Sequence, residues 1–263
     1  MKRRRISILF CLGAIAAGGL WGQTSMSLSP VQMEIALSPG QSEERVLTVG
    51  NDSPEAIRIK AEIVLWTPGA PGVEIVPAEG AAGMTCRDWI RMETPEFTVA
   101  SGENHDVTLA FAVPENTEPG HYTAAVSFQA VSDKPGEGIS IQGKLSALAV
   151  VAVGKIRNEG TIEDLAVENI DGRSILILRH KNNGRFFLPT EGEIVIRNEA
   201  GKKVYKADIF NDPVPPLSER MFRIPMDTEL PPGRYEAECV LRPLSGKKES
   251  LNKPITIDHP GKP

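Results

Sequence analysis

The side chains best suited to chemistry are few and scattered. Among 263 residues there are three cysteines, Cys11, Cys86 and Cys239, and four histidines, His105, His121, His180 and His259. No two of them stand at the short spacing by which zinc or iron sites place their ligands. The chain carries no Gly-x-Ser-x-Gly elbow, no His-Glu-x-x-His helix and no Gly-rich loop ending in Lys-Ser/Thr. The expectation is therefore a protein that is not an enzyme and holds no cofactor and no metal. Cys86 and Cys239 fall one in each half, so neither half can close a disulfide of its own; two buried thiols or one bridge between the halves both satisfy the count.

What remains is chemistry of the backbone. From Ile139 to Val153 the chain reads Ile-Ser-Ile-Gln-Gly-Lys-Leu-Ser-Ala-Leu-Ala-Val-Val-Ala-Val, with Ile139, Ile141, Leu145, Ala147, Ala149, Val151 and Val153 on one side of an extended strand. A strand of that length is about three times the usual one. At a sheet edge, its unpaired amides and carbonyls would template a strand from another chain. The alternative is a last strand paired on both sides that runs on as a linker. Ile139, Ile141, Lys144, Leu145 and Ala147 are the expected partner-binding residues.

The elements that must position this strand are themselves strands. Val31 to Leu37 alternates with period two and stops at Ser38-Pro39-Gly40; Ile57, Ile59, Ala61 and Ile63 share a face; and no window gives an amphipathic helix of more than three turns. Short strands separated by Asn, Gly and Pro, without intervening helices, describe an antiparallel sandwich. Thr67 to Gly83 reads as a Pro/Gly-rich excursion. Asn51, and later Asn182-Asn183-Gly184, read as turns. One motif occurs twice: Glu118-Pro119-Gly120-His121-Tyr122 and Pro231-Pro232-Gly233-Arg234-Tyr235. Pro sets φ, Gly is expected to supply a positive φ, and the Tyr hydroxyl can bond backbone across the corner, as in the tyrosine corner of immunoglobulin-like folds.

Charge divides the chain in the same way. Met1-Lys2-Arg3-Arg4-Arg5 followed by the apolar run Ile6 to Ala17 reads as a signal peptide over residues 1–22, because a dozen apolar residues are too few to span a bilayer. No later segment is long and apolar enough to be an anchor. Residues 23–153 hold 7 basic and 17 acidic side chains; residues 154–263 hold 18 and 17. The whole chain carries −5, with 41% apolar and only 5% aromatic residues. That balance argues against nucleic acid, which needs clustered Lys and Arg. The reading is all-β: after the signal peptide, two tandem immunoglobulin-like antiparallel β-sandwiches, 23–153 and 154–263.

An acidic first sandwich whose N-terminal strand ends in Pro39-Gly40, a strand ending at Asn51, the tyrosine-bearing strand Tyr122 to Val131, the loop Ser132 to Gly138 and a very long strand into a second sandwich together resemble the periplasmic pilus-assembly chaperones of the PapD type. The resemblance implies a periplasmic protein that caps pilin-like secreted or surface subunits by β-strand addition. It implies that Ile139, Ile141, Leu145 and Ala147 are donor residues and that Lys144 is the cleft residue holding a subunit's C-terminal carboxylate. The family's first strand also brings an Arg to that cleft, whereas Ser29 to Glu34 contains no basic residue. The alternative is a structural or adhesive envelope module, secreted or on the cell surface. Leu37 to Gln41 and Val46 to Asn51 also look like the first domain of Gram-positive surface proteins that bind peptidoglycan.

Overall fold

The computed structural model describes residues 25–66, 74–77, 84–131, 143–170, 173–242 and 249–257; residues 1–22, read above as a signal peptide, and Ile139 and Ile141 lie outside them. Seventeen strands and a single 3-10 turn at Arg87–Trp89 make up the described secondary structure. The strands are β1 (Met26–Ser29), β2 (Gln32–Leu37), β3 (Ser42–Asn51), β4 (Ile57–Val64), β5 (Glu74–Pro77), β6 (Ile90–Met92), β7 (Glu96–Val99), β8 (Asn104–Ala112) and β9 (Gly120–Val131). They continue with β10 (Lys144–Val153), β11 (Gly160–Ile170), β12 (Arg173–Asn182), β13 (Leu188–Asn198), β14 (Lys203–Val214), β15 (Ser218–Pro225), β16 (Gly233–Leu241) and β17 (Glu249–Ile257).

Two immunoglobulin-like sandwiches result. The first packs the sheet β1-β3-β8-β6 on β2-β10-β9-β4-β7; the second packs β11-β12-β15-β5 on β14-β13-β16-β17. Alternation in the sequence becomes alternation in burial: in β2, Met33, Ile35 and Leu37 are buried while Gln32, Glu34 and Ala36 are exposed. Two separate cores follow, one built from Met33, Leu47, Ile59, Leu109, Phe111, Phe128 and Val151 among others, the second from Leu165, Leu176, Leu188, Ile194, Ile209 and Leu241 among others. Cys86 is wholly buried in the first and Cys239 in the second, and both are free thiols. Desolvation pushes each up to about 12, so both are unreactive packing residues.

The excursion after β4 contains a strand. β5 leaves the first half and pairs antiparallel with β15 of the second sandwich, Ser218 opposite Pro77 and Met221 opposite Glu74. Local pattern could not show this, because the partner lies over 140 positions away.

Two internal repeats hold the sandwiches in shape. Both corner tyrosines form the expected bond: Tyr122 Oη donates to the carbonyl of Glu118 at 2.8 Å and Tyr235 Oη to that of Pro231 at 2.6 Å. The glycines of these corners do not take a positive φ, however; among the described residues that conformation belongs to Gly40, Gly102, Gly154, Gly201 and Leu217. Gly120 is needed for space, since a Cβ there would lie 2.9 Å from the carbonyl oxygen of Arg185 and 2.7 Å from Met84. The second repeat is a pair of buried asparagines, each at the end of a strand. Asn51 Nδ2 donates to the carbonyls of Glu55, Val99 and Ala100, and its Oδ1 accepts from Ser53 N. Asn182 does the same with Phe186, Val214 and Pro215, accepting from Gly184 N.

Each asparagine satisfies several buried backbone groups, whose loss is costlier than a net hydrogen bond. Asn51→Ala and Asn182→Ala should each lower stability by about 2–3 kcal/mol, the cost of stranding buried polar groups. Urea unfolding midpoints check this, and a loss below about 0.5 kcal/mol, the scale of an ordinary surface substitution, would contradict it.

Candidate functional site

The site begins with the way the N-terminal strand is shared between two sheets. β1 pairs with β3 in one sheet; at the cis Ser29-Pro30 peptide the chain crosses over, and β2 pairs parallel with β10 in the other. That parallel ladder opens only at Gln32 opposite Leu148 and runs to Leu37 opposite Val153. On its other side β10 is paired with β9 along its whole length, from Lys144 opposite Gln129 to Val153 opposite Gly120. Hence, among the described residues, Lys144 to Ala147 has a ladder partner on one side only.

Backbone direction tells which groups are left open. The amide of Leu148 donates to the carbonyl of Val31, towards β2, whereas the carbonyl of Gly143 accepts from Ala130, towards β9. Successive residues alternate in direction. Lys144 and Ser146 therefore aim their N–H and C=O groups at the open side, while Leu145 and Ala147 aim theirs at β9. Val31, 65% exposed, stands where the open stretch meets the first β2 bond.

Side chains on β10 follow the opposite logic. Ala147, Ala149, Val151 and Val153 are fully buried in the first core, and Leu145, on the same face, is half-buried. The apolar stripe thus emerges from the sandwich at Leu145. Ala147 has no exposed surface, so its side chain is a core residue and is not available to a partner, contrary to the expectation from sequence. Ile139 and Ile141, which would continue the stripe, lie outside the described residues.

Lys144 is exposed and stands at the end of the β9–β10 hairpin away from the second sandwich. The two halves meet at the opposite end, beside Gly120 and Val153. Nine residues of strand separate Lys144 from that junction, about 30 Å at the strand rise. It is therefore not a cleft residue, which corrects the role implied for it. The sequence pattern showed a lysine in a long strand but not which end of the strand faced the second half.

At the junction the basic group is Arg185, from the turn after Asn182. Its guanidinium contacts the Glu118 carboxylate at 3.2 Å, the Pro119 carbonyl at 3.1 Å and Tyr122 Oη at 3.1 Å. Its carbonyl accepts from His121 N, and His121 Nδ1 accepts from the amide of Phe187 at 2.9 Å. The rings of Phe186 and Phe187 pack on His121, and Trp66 meets Phe187 edge-on at 6.2 Å. The β2 residues at this end are Ala36 and Leu37, opposite Ala152 and Val153, with Glu34 two positions before Ala36; none of them is basic. Gly154 turns the chain out of β10 with φ +78, packed on Pro119. No local signal marked Arg185 or Phe187, because their role depends on contacts more than 60 positions away.

In the second sandwich His180, wholly buried, bridges Thr190 Oγ1 and Glu249 Oε2, each at 3.0 Å. The order hydroxyl, imidazole, carboxylate is that of a nucleophile triad, but Thr190 is also fully buried. The set ties β12 to β13 and β17 across the two sheets, and its hydroxyl, where a nucleophile would have to meet a substrate, is buried.

His121 makes the junction pH-sensitive. Burial holds its pKa below the ordinary 6.5, opposed by the charge of Glu34. The folded chain then binds fewer protons than the unfolded one, so stability falls as pH drops below 6.5 and levels off once the folded ring itself protonates. Urea unfolding at pH 7.5 and 5.5 should show the loss, and His121→Gln should shrink it; an equal slope in the variant would contradict this.

No family model matches this chain, and no curated protein does. Many of the solved structures it resembles are chaperones of pilus or fimbria assembly. A chaperone of Escherichia coli, DraB, is 13% identical, with 90% of this chain and 98% of that one covered and a TM-score of 0.43. The CupB2 chaperone of Pseudomonas aeruginosa is 8% identical, covering 87% and 100%, at 0.42. A chain of the CsuC–CsuE chaperone–tip adhesion subunit complex of Acinetobacter baumannii is 13% identical, covering 88% and 98%, at 0.42.

Proposed function

We propose that this chain is an exported, non-enzymatic protein-binding protein that accepts a strand of another protein along the open stretch of β10, in the manner of a periplasmic chaperone for surface-fibre subunits. The observation that supports this most is the contrast between that stretch and the other edges. Among the described residues, β1, β6 and β7 are edge strands of four residues or fewer, β2 is confined between Pro30 and Pro39, β14 carries Pro213 and β17 carries Pro254. β11 breaks register between Ile162 and Asp164, and Asp164 accepts from Lys253 of β17. Short strands, prolines and bulges are the usual ways to blunt an edge. From Gly143 to Val153 there is no proline and no register break.

A partner strand laid beside Lys144 and Ser146 would gain ladder hydrogen bonds, and beside Leu145 it would extend the apolar stripe. A protein unable to complete its own sandwich gains most from such an offer. The partner class is a secreted or surface subunit.

Ser146→Pro tests the reading. Proline removes the amide that faces the open side, and a position whose backbone makes no bond to β9 tolerates it, at the loss of the Ser146 hydroxyl's bond to Ser127 Oγ at 3.2 Å. A photo-crosslinking residue at position 144 in the tagged chain, expressed in its own host, should yield a discrete adduct with an envelope protein through an alternating apolar segment. Ser146→Pro should reduce that adduct at least tenfold, about 1.4 kcal/mol, whereas Ser146→Ala, which loses the same bond to Ser127 but keeps the amide, should leave it unchanged. An undiminished adduct in the folded variant would overturn strand addition at this edge.

A further inference from the structure

We propose that His121 is a two-position latch between the sandwiches: uncharged, it holds the turn after Asn182; protonated, it turns to Glu34 and lets the second sandwich swing about Gly154. The uncharged position is the one observed. His121 N donates to the carbonyl of Arg185 at 2.8 Å, and His121 Nδ1 accepts from the amide of Phe187 at 2.9 Å. A backbone amide can only donate, so this second bond requires Nδ1 without a proton. Once both ring nitrogens carry hydrogen, two donors face each other and the bond is lost. His180 marks the contrast: a hydroxyl and a carboxylate flank it, both can accept, and its two bonds survive in either charge state. Acid therefore acts on the junction and spares that bridge.

The second position lies on the same face. Glu34 stands opposite Val150 and His121 opposite Ala152, so these four side chains share the outer side of the sheet. Two strand spacings and two residues of rise separate Glu34 from His121, about 12 Å between Cα atoms. The outer-face residues beside His121 on β10 and β2 are Ala152 and Ala36, small enough to leave the two longer side chains room to meet. Glu34 is exposed and accepts from Gln32 Nε2 at 2.9 Å, a bond that an imidazolium can replace. Its charge favours the protonated ring against the burial that opposes it. The other charged groups around the ring, among the described residues, are Arg185 of the turn, paired with Glu118, and Glu159, which flanks the turn at Gly184; β10 presents the uncharged Ala152. Gly154 leaves β10 beside this point with φ +78, where a single residue redirects the chain. The β5–β15 ladder is a backbone pairing, so the halves stay joined while the turn is released. The latch sets the angle between the halves and does not depend on what β10 binds.

The test places spin labels on Thr98→Cys in the first sandwich and Arg234→Cys in the second, both exposed positions, and reads the distance between them by pulsed dipolar electron spin resonance. Cys86 and Cys239 are buried and take no label. One distance is expected at pH 7.5, and at pH 5.5 a second population should rise about fivefold or more. His121→Gln, whose amide oxygen accepts from Phe187 at either pH, should keep the single distance. Glu34→Gln, which removes the second position, should cut the new population about threefold or more. An unchanged distance at pH 5.5, or an equal response in His121→Gln, would overturn the latch; an equal response in Glu34→Gln would overturn Glu34 as its second partner. Amide exchange gives an independent reading. The protection of Phe187, corrected for the intrinsic effect of pH, should fall about tenfold or more between pH 7.5 and 5.5 while that of Leu178, inside the second core, holds. A parallel fall at Leu178 would mean that the sandwich unfolds in place of the turn letting go, and would overturn the proposal.

Discussion

Every strand in this protein has two rows of backbone donors and acceptors, and the requirement that each row find partners organises the whole molecule. Sheets settle it internally; edges do not. The N-terminal strand is split between two sheets at Pro30, β5 is lent across the junction, and β11 is bulged and tied to β17. Against these devices, the stretch from Lys144 to Ala147 is left with one side open. The split at Pro30 is what creates it, since a β2 that began four residues earlier would have closed the ladder.

The two sandwiches repeat the same solutions at equivalent places: a tyrosine hydroxyl on a carbonyl four residues back, and a strand-end asparagine that gathers three carbonyls. These repeats brace two sandwiches that, among the described residues, have neither disulfides nor α-helices to help them. The junction is built differently, from one arginine, one histidine and three aromatic rings. The first half thus carries the open edge on a frame fixed at the end remote from it.

Much of the frame was legible in sequence because it is local. Alternation in Gln32 to Leu37 and in Ile57 to Val64 gave strands, and the two Pro-Gly-x-Tyr motifs gave corners with their bonds. The glycine of those corners was misread, because a positive φ and a close approach both demand Gly and only the neighbours distinguish them. Asn51 and Asn182 were readable as turns, but not as sockets, since Val99 and Val214 reach them from other strands. β5 was hidden for the same reason. At the site, the long strand and its apolar stripe were visible, whereas the burial of Ala147 and the remoteness of Lys144 from the junction required the register with β9. A pattern of period two fixes faces; it does not say where a neighbour stops.

The most direct measurement is residue-resolved amide exchange along β10 in the free chain and in its complex with a captured subunit. The amides of Lys144 and Ser146 should exchange freely in the isolated protein and become protected in the complex, while those of Leu145 and Ala147, bonded to β9, stay protected throughout. Protection of Lys144 and Ser146 already in the free chain, or no change on binding, would contradict the account.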